Sequence, residues 1–169
     1  MRRRFLLAAL LLALAATGLS AQPLQVAGAE RSVTAERMAD AETIALDGVL
    51  DEAAWQRAVP ATDFIQQDPL LGGTPTERTE VRFIFNQNSL YMGVLCFDSE
   101  PDQLLGNTMK RDEFLSADDR FMWVMDTFLD RQSGYFFEMN PSGLMADSLM
   151  GAGGGQSREW DGIWDAKVL

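Results

Sequence analysis

The sequence predicts an all-β fold: an antiparallel β-sandwich of jelly-roll type, incomplete at its C-terminal end, with one short helix near residues 50–58. Three observations lead there. Apolar residues recur with period two from residue 79 onward, short apolar runs are separated by turn dipeptides, and almost no helical spacing appears after Pro60. Short strands with frequent turns make a sandwich or barrel rather than a parallel sheet wrapped in helices.

In chain order, Thr43 to Leu46 is a short strand ended by the turn dipeptide Asp47-Gly48. Leu50, Ala53, Ala54 and Arg57 then repeat at helical spacing, with Asp51 near the positive end of the helix dipole and Pro60 as the stop. Over 79–86, Val81, Phe83 and Phe85 alternate with Arg82, Ile84 and Asn86, the pattern of a half-buried strand. Asn86 to Ser89 turns the chain. Leu90 to Phe97 is apolar on both parities, which predicts a central strand paired with 79–86 as a hairpin. Arg120 to Phe128, Tyr135 to Asn140 and Leu144 to Met150 follow as strands, separated by turns at 130–134 and at Pro141-Ser142-Gly143. Gly151 to Gly155 is a flexible loop, and Trp160 to Val168 is the last strand, still pairing where the sequence stops.

The front of the chain sets an expected compartment. Arg2, Arg3 and Arg4 precede an apolar run from Phe5 to Ala16, followed by the small residues Gly18, Ser20 and Ala21, which is the layout of a secretory signal peptide. Cleavage after Ala21 is expected, with Ala27-Gly28-Ala29 as a later alternative and a retained anchor as the rival reading. Residues 1–21 are thus a signal peptide, 22–42 a linker, and 43–169 the sandwich; the destination is the periplasm, the outer membrane or the exterior.

A formal net charge of −11 makes nucleic acid an unsuitable partner. The absence of histidine removes Ser-His-Asp and Cys-His catalysis and most zinc sites. Cys96 has no partner for an internal disulfide and is expected to be a buried, inert thiol.

Leu46-Asp47-Gly48-Val49-Leu50-Asp51-Glu52-Ala53-Ala54-Trp55, Thr79-Glu80-Val81-Arg82, Ser89 to Gly93, Asp118-Asp119-Arg120-Phe121 and Gly134 to Pro141 together resemble carbohydrate-binding module family 9. Arg111-Asp112, Asp126 to Asp130, Asn140-Pro141-Ser142-Gly143, Trp160 and Trp164 resemble the subgroup that precedes an outer-membrane β-barrel-like region. The resemblance implies sugar ends stacked between aromatic side chains, with calcium stabilising the loops. In this sequence the first platform corresponds to Glu113-Phe114-Leu115-Ser116, where only Phe114 can stack, and the second falls beyond Leu169.

The candidate ligand residues are therefore Phe114, Arg111, Asp119, Asn140, Trp160 and Trp164, binding a polysaccharide or oligosaccharide by stacking and by polar contacts to hydroxyls. Trp160 and Trp164 share a face if extended, roughly 13 Å apart at about 3.3 Å per residue. They serve either successive sugar subsites or cover a sheet face that the region expected beyond Leu169 buries. Trp55 and Trp123 are expected in the core. Asp112, Asp118 and Asp126, within a cluster that includes Glu113, Asp119 and Asp130, are candidate calcium ligands; solvated turn acids and a glycosidase carboxylate pair are the other readings. The functional alternatives are a non-catalytic sugar-binding module, an interaction domain that packs on a downstream β-barrel of the same protein without binding sugar, and part of an O-glycosyl hydrolase.

Overall fold

The computed structural model describes residues 31–169. The predicted signal peptide and the first part of the predicted linker lie outside the described residues. The all-β expectation holds: seven strands form two sheets, with a single five-residue α-helix among the described residues.

The first sheet has the order β1-β2-β3. β2 (Thr79–Phe85) and β3 (Leu90–Cys96) form the predicted antiparallel hairpin, from Thr79 opposite Cys96 to Phe85 opposite Leu90. The side chain of Asn86 caps its turn, Oδ1 accepting the N–H of Asn88 and of Ser89, both at 2.9 Å. β1 (Glu36–Arg37) pairs in parallel with β2, so β2 is the central strand and β3 lies at the edge. This corrects two expectations. Part of the segment taken for a linker is a strand, and β3 is not central; its apolar residues on both parities leave Leu90, Leu95 and Phe97 exposed at that edge. Thr43 to Leu46 is not a strand; the parallel partner of β2 is Glu36–Arg37.

Helix α1 (Ala53–Arg57) forms as predicted and ends where Ala58 turns extended ahead of Pro60. It covers the Ile84 face of the hairpin. Met38, Ala54, Trp55, Ala58 and Ile84 form one buried cluster, with Ile44, Leu50 and Tyr91 packed on it. Trp55 is thus a core residue. Gly93 lies where this layer presses hardest: a Cβ there would stand 2.9 Å from both Leu50 Cδ1 and the Trp55 ring. Only glycine lets the helix approach this closely.

The second sheet has the order β4-β5-β6-β7. β4 (Phe121–Met125), β5 (Gly134–Met139) and β6 (Met145–Met150) are antiparallel neighbours, and two-residue β7 (Gln156–Ser157) adds to β6 within the stretch that follows the glycine loop. The registers pair Trp123 with Phe137 and Phe137 with Asp147, which puts these three side chains on one face; Met122, Glu138 and Ala146 lie on the other.

The predicted final strand is not formed. Residues 160–169 make no ladder, although their burial still alternates, the even-numbered residues facing the protein. The segment runs extended across the aromatic face of the second sheet, held by rings and a buried carboxylate rather than by backbone pairing. Its end reaches the Asp47-Gly48 turn, where Leu169 Cβ would stand 3.1 Å from a Cβ built on Gly48. Cys96 is exposed at the end of β3, not buried; its neighbours still desolvate the thiol enough to push its pKa up, against a hydrogen bond with Thr79 that lowers it.

Candidate binding site

The loop before β4 carries the exposed aromatic of the site. Leu115 is fully buried and anchors the loop, while Phe114 beside it is 71% exposed. Beneath Phe114 runs Arg158, which follows β7. Its Nη1 donates to the carbonyl oxygens of Asp112 at 2.9 Å and Glu113 at 3.3 Å, its Nη2 donates to Glu138 Oε1 at 3.0 Å, and its guanidinium carbon lies 4.0 Å from the Phe114 ring centroid. Glu138 is 0% exposed, and its other oxygen accepts a 2.8 Å hydrogen bond from Arg120 Nη1. A buried carboxylate with both oxygens met by guanidinium donors has the partners that its desolvation requires.

Arg111 and Trp164 are brought together through a residue that sequence reasoning missed. Asp147, 1% exposed on β6, accepts from Trp164 Nε1 at 2.7 Å and Arg111 Nη2 at 3.2 Å on one oxygen, and from the Gly162 N–H at 3.3 Å on the other. Arg111 Nη2 also meets Asp161 at 2.9 Å. The two tail tryptophans spend their ring surface on the protein itself. Trp160 packs on Tyr135 at 4.8 Å and edge-on to Phe137 at 6.0 Å; Trp164 meets Trp123 and Phe137 edge-on at 5.5 and 5.2 Å. Trp123 stacks on Phe137 at 5.1 Å within the same cluster. Trp160 and Trp164 thus lie on the aromatic face of the second sheet, packed on rings of their own chain.

Asp118, Asp119 and Asn140 form a third group that clamps the loop at 105–108. Asp118 accepts from the backbone of Asn107 and Thr108 and from Asn140 Nδ2 at 2.9 Å, and Asp119 Oδ2 accepts from the Leu105 N–H at 2.8 Å. The Asn140 amide, with the Thr108 N–H behind it, holds the Asp118 carboxyl below its ordinary pKa. Asn140 is 1% exposed and all its contacts are internal, so it shapes the loop from inside rather than facing a ligand.

The three proposed calcium ligands do not converge. Asp126 accepts the N–H groups of Asp130 and Arg131 in the turn after β4, Asp112 faces Arg111 and the Asp147 N–H, and Asp118 is committed to the 105–108 loop. Among the described residues no group of three acidic, cysteine or histidine side chains is placed to hold a metal ion. Each of the three carboxylates accepts hydrogen bonds from backbone N–H groups of the protein.

A recess of about 560 Å³ lies elsewhere, lined by Glu36, Met38, Asp40 and Arg57, and touches none of the predicted site residues. No helix among the described residues is long and apolar enough to cross a membrane.

Glu138, Asp147 and Arg158 were not singled out from sequence. A signal was there for the first two: each interrupts an apolar strand, Glu138 in Gly134–Met139 and Asp147 in Met145–Met150, where an unpaired charge is costly. Compared with known proteins, the chain matches no family model, no curated protein and no solved structure.

Proposed function

We propose that this chain is the non-catalytic, carbohydrate-binding-type module of an exported protein, resembling carbohydrate-binding module family 9, and that Phe114 is its stacking platform for a polysaccharide or oligosaccharide. The observation that carries the reading is the state of that ring. With Arg158 over one face and 71% of the residue exposed, the opposite face is open to solvent, on a loop pinned by buried Leu115. A fixed, open aromatic face bordered by polar groups is what a sugar ring needs, because its C–H face stacks while its hydroxyls seek hydrogen bonds. Lys110 and Glu113, paired at 3.2 Å, are polar neighbours of the ring in the same loop.

A second reading has its own support. Met122 and Val124 on β4, 51% and 52% exposed, and Phe128 and Leu129 beyond it leave apolar surface on an edge strand, as expected of an interaction domain packed on a downstream barrel. Affinity electrophoresis separates the two. Retardation by a soluble polysaccharide that disappears in Phe114→Ala supports sugar binding. No retardation by any glycan, with tight association to the downstream region lost in Val124→Asp, supports the interaction domain.

A further inference from the structure

We propose that Arg158 is a positioning residue for the Phe114 platform: a guanidinium locked from within by buried Glu138 holds the ring in one orientation, so the affinity of the open face depends on a side chain that never touches the ligand. The inference rests on the binding reading above and goes beyond it to the device that sets the strength of binding.

The geometry assigns Arg158 two holds on the Phe114 loop and one on β5 beneath it. Nη1 bridges the carbonyl oxygens of Asp112 and Glu113, the two residues before Phe114, and so fixes the backbone that aims the ring. The guanidinium plane supports the ring at 4.0 Å. Nη2 is tied to Glu138, which is fully buried and fixed from its other side by Arg120, so the base of the assembly cannot swing. Arg158 Nε is buried and has no hydrogen-bond acceptor among the described residues. The guanidinium carbon sits over the Phe114 ring as a cation–π contact, which adds the ring to what this arginine holds. An exposed phenylalanine without such support samples several rotamers, and ordering it on binding weakens the complex. Lysine keeps a cation under the ring but lacks the planar fork that spans Glu138 and two carbonyls at once.

The test uses the full chain with 4-fluorophenylalanine at position 114, read by ¹⁹F NMR, alongside affinity electrophoresis in soluble polysaccharide. In the unsubstituted chain the fluorine signal is expected to be shifted and broadened relative to a disordered reference; in Arg158→Met it should narrow and move to the reference position, and Arg158→Lys should fall between. Polysaccharide affinity should drop about tenfold in Arg158→Met and recover partly in Arg158→Lys, following ring order. Unchanged thermal melting of Arg158→Lys keeps the comparison free of unfolding. A fluorine signal at the reference position in the original chain, or one unmoved by Arg158→Met, overturns the proposal whatever the glycan result. So does loss of retardation in Phe114→Ala together with full retardation in Arg158→Met. If the original chain binds no glycan, the binding reading fails on its own, and the fluorine spectra still decide whether Arg158 positions the ring.

Discussion

The sheet of β1–β3 closes over an apolar cluster of Met38, Ala54, Trp55, Ala58 and Ile84, whereas the sheet of β4–β7 buries Glu138, Asn140, Asp147 and Ser148 among its strands. The first interior is non-directional: any well-packed set of similar volume holds a helix on a hairpin. The second is directional. The buried carboxylates of Glu138 and Asp147 each ask for particular donors at particular places, and those donors come from the 110–120 loop and from the segment after β7. The contrast teaches that the candidate site sits where polar burial fixes the long-range geometry, beside the sheet of β4–β7.

The largest expected effect tests the apolar half. Trp55→Ala removes the biggest side chain of the cluster and should cost about 3–5 kcal/mol in urea unfolding. Hydrogen exchange should show protection lost first in β2 and β3; equal loss in β5 and β6 would erase the distinction between the sheets. Next comes Glu138→Ala, which strands Arg120 and Arg158. Breaking a buried pair costs about 3–5 kcal/mol. Both arginines keep some solvent access, so the lower end, about 3 kcal/mol, is expected, with protection lost first in β5 and β6. Gly93→Ala forces Leu50 and the Trp55 ring outward and should cost about 1–3 kcal/mol, measured as a lower urea midpoint. Trp164→Phe keeps the aromatic contact but removes the indole donor to Asp147, for about 1–2 kcal/mol, with near-ultraviolet circular dichroism reporting loosening of the tail.

The smallest effect is one of pH. Hydrogen bonds from Arg57, helped by the Ala39 N–H, lower the Glu42 carboxyl from 4.5 to about 2. A depressed acid stabilises the fold above its unfolded pKa and loses that contribution as pH falls through the folded value. The stability gap between the original chain and Glu42→Gln should therefore be full above about 4.5 and shrink as pH falls towards 2, in urea midpoints taken across that window. A gap that is constant with pH would show that the Arg57 ion pair contributes nothing.

Much of the strand pattern was legible, because side-chain alternation is a local property. The hairpin Thr79–Phe85 with Leu90–Cys96 and the strands Gly134–Met139 and Met145–Met150 fall where period two and the turn residues put them. Alternation also hid something at the C-terminus: Trp160 to Val168 has the rhythm of a strand, and its even-numbered residues do face inward, yet without a neighbour in register it forms no ladder. The site was half legible. Phe114 and Arg111 stand out by residue type, while Arg158 and Glu138 acquire meaning only from each other.

By itself the sequence determined an all-β chain, the placing of its hairpin and most of its strands, the short helix with Trp55 inward, and the exclusion of histidine-based chemistry. Tertiary structure alone decided that Glu36–Arg37 joins β2, that Trp160 and Trp164 lie on their own sheet, and that Arg158 arrives beneath Phe114, 46 residues on from the Asp112 carbonyl it also holds. The physical reason is range. Period and turn chemistry act over a few residues, whereas a buried charge is satisfied by whichever distant donor the closed fold brings within hydrogen-bonding reach.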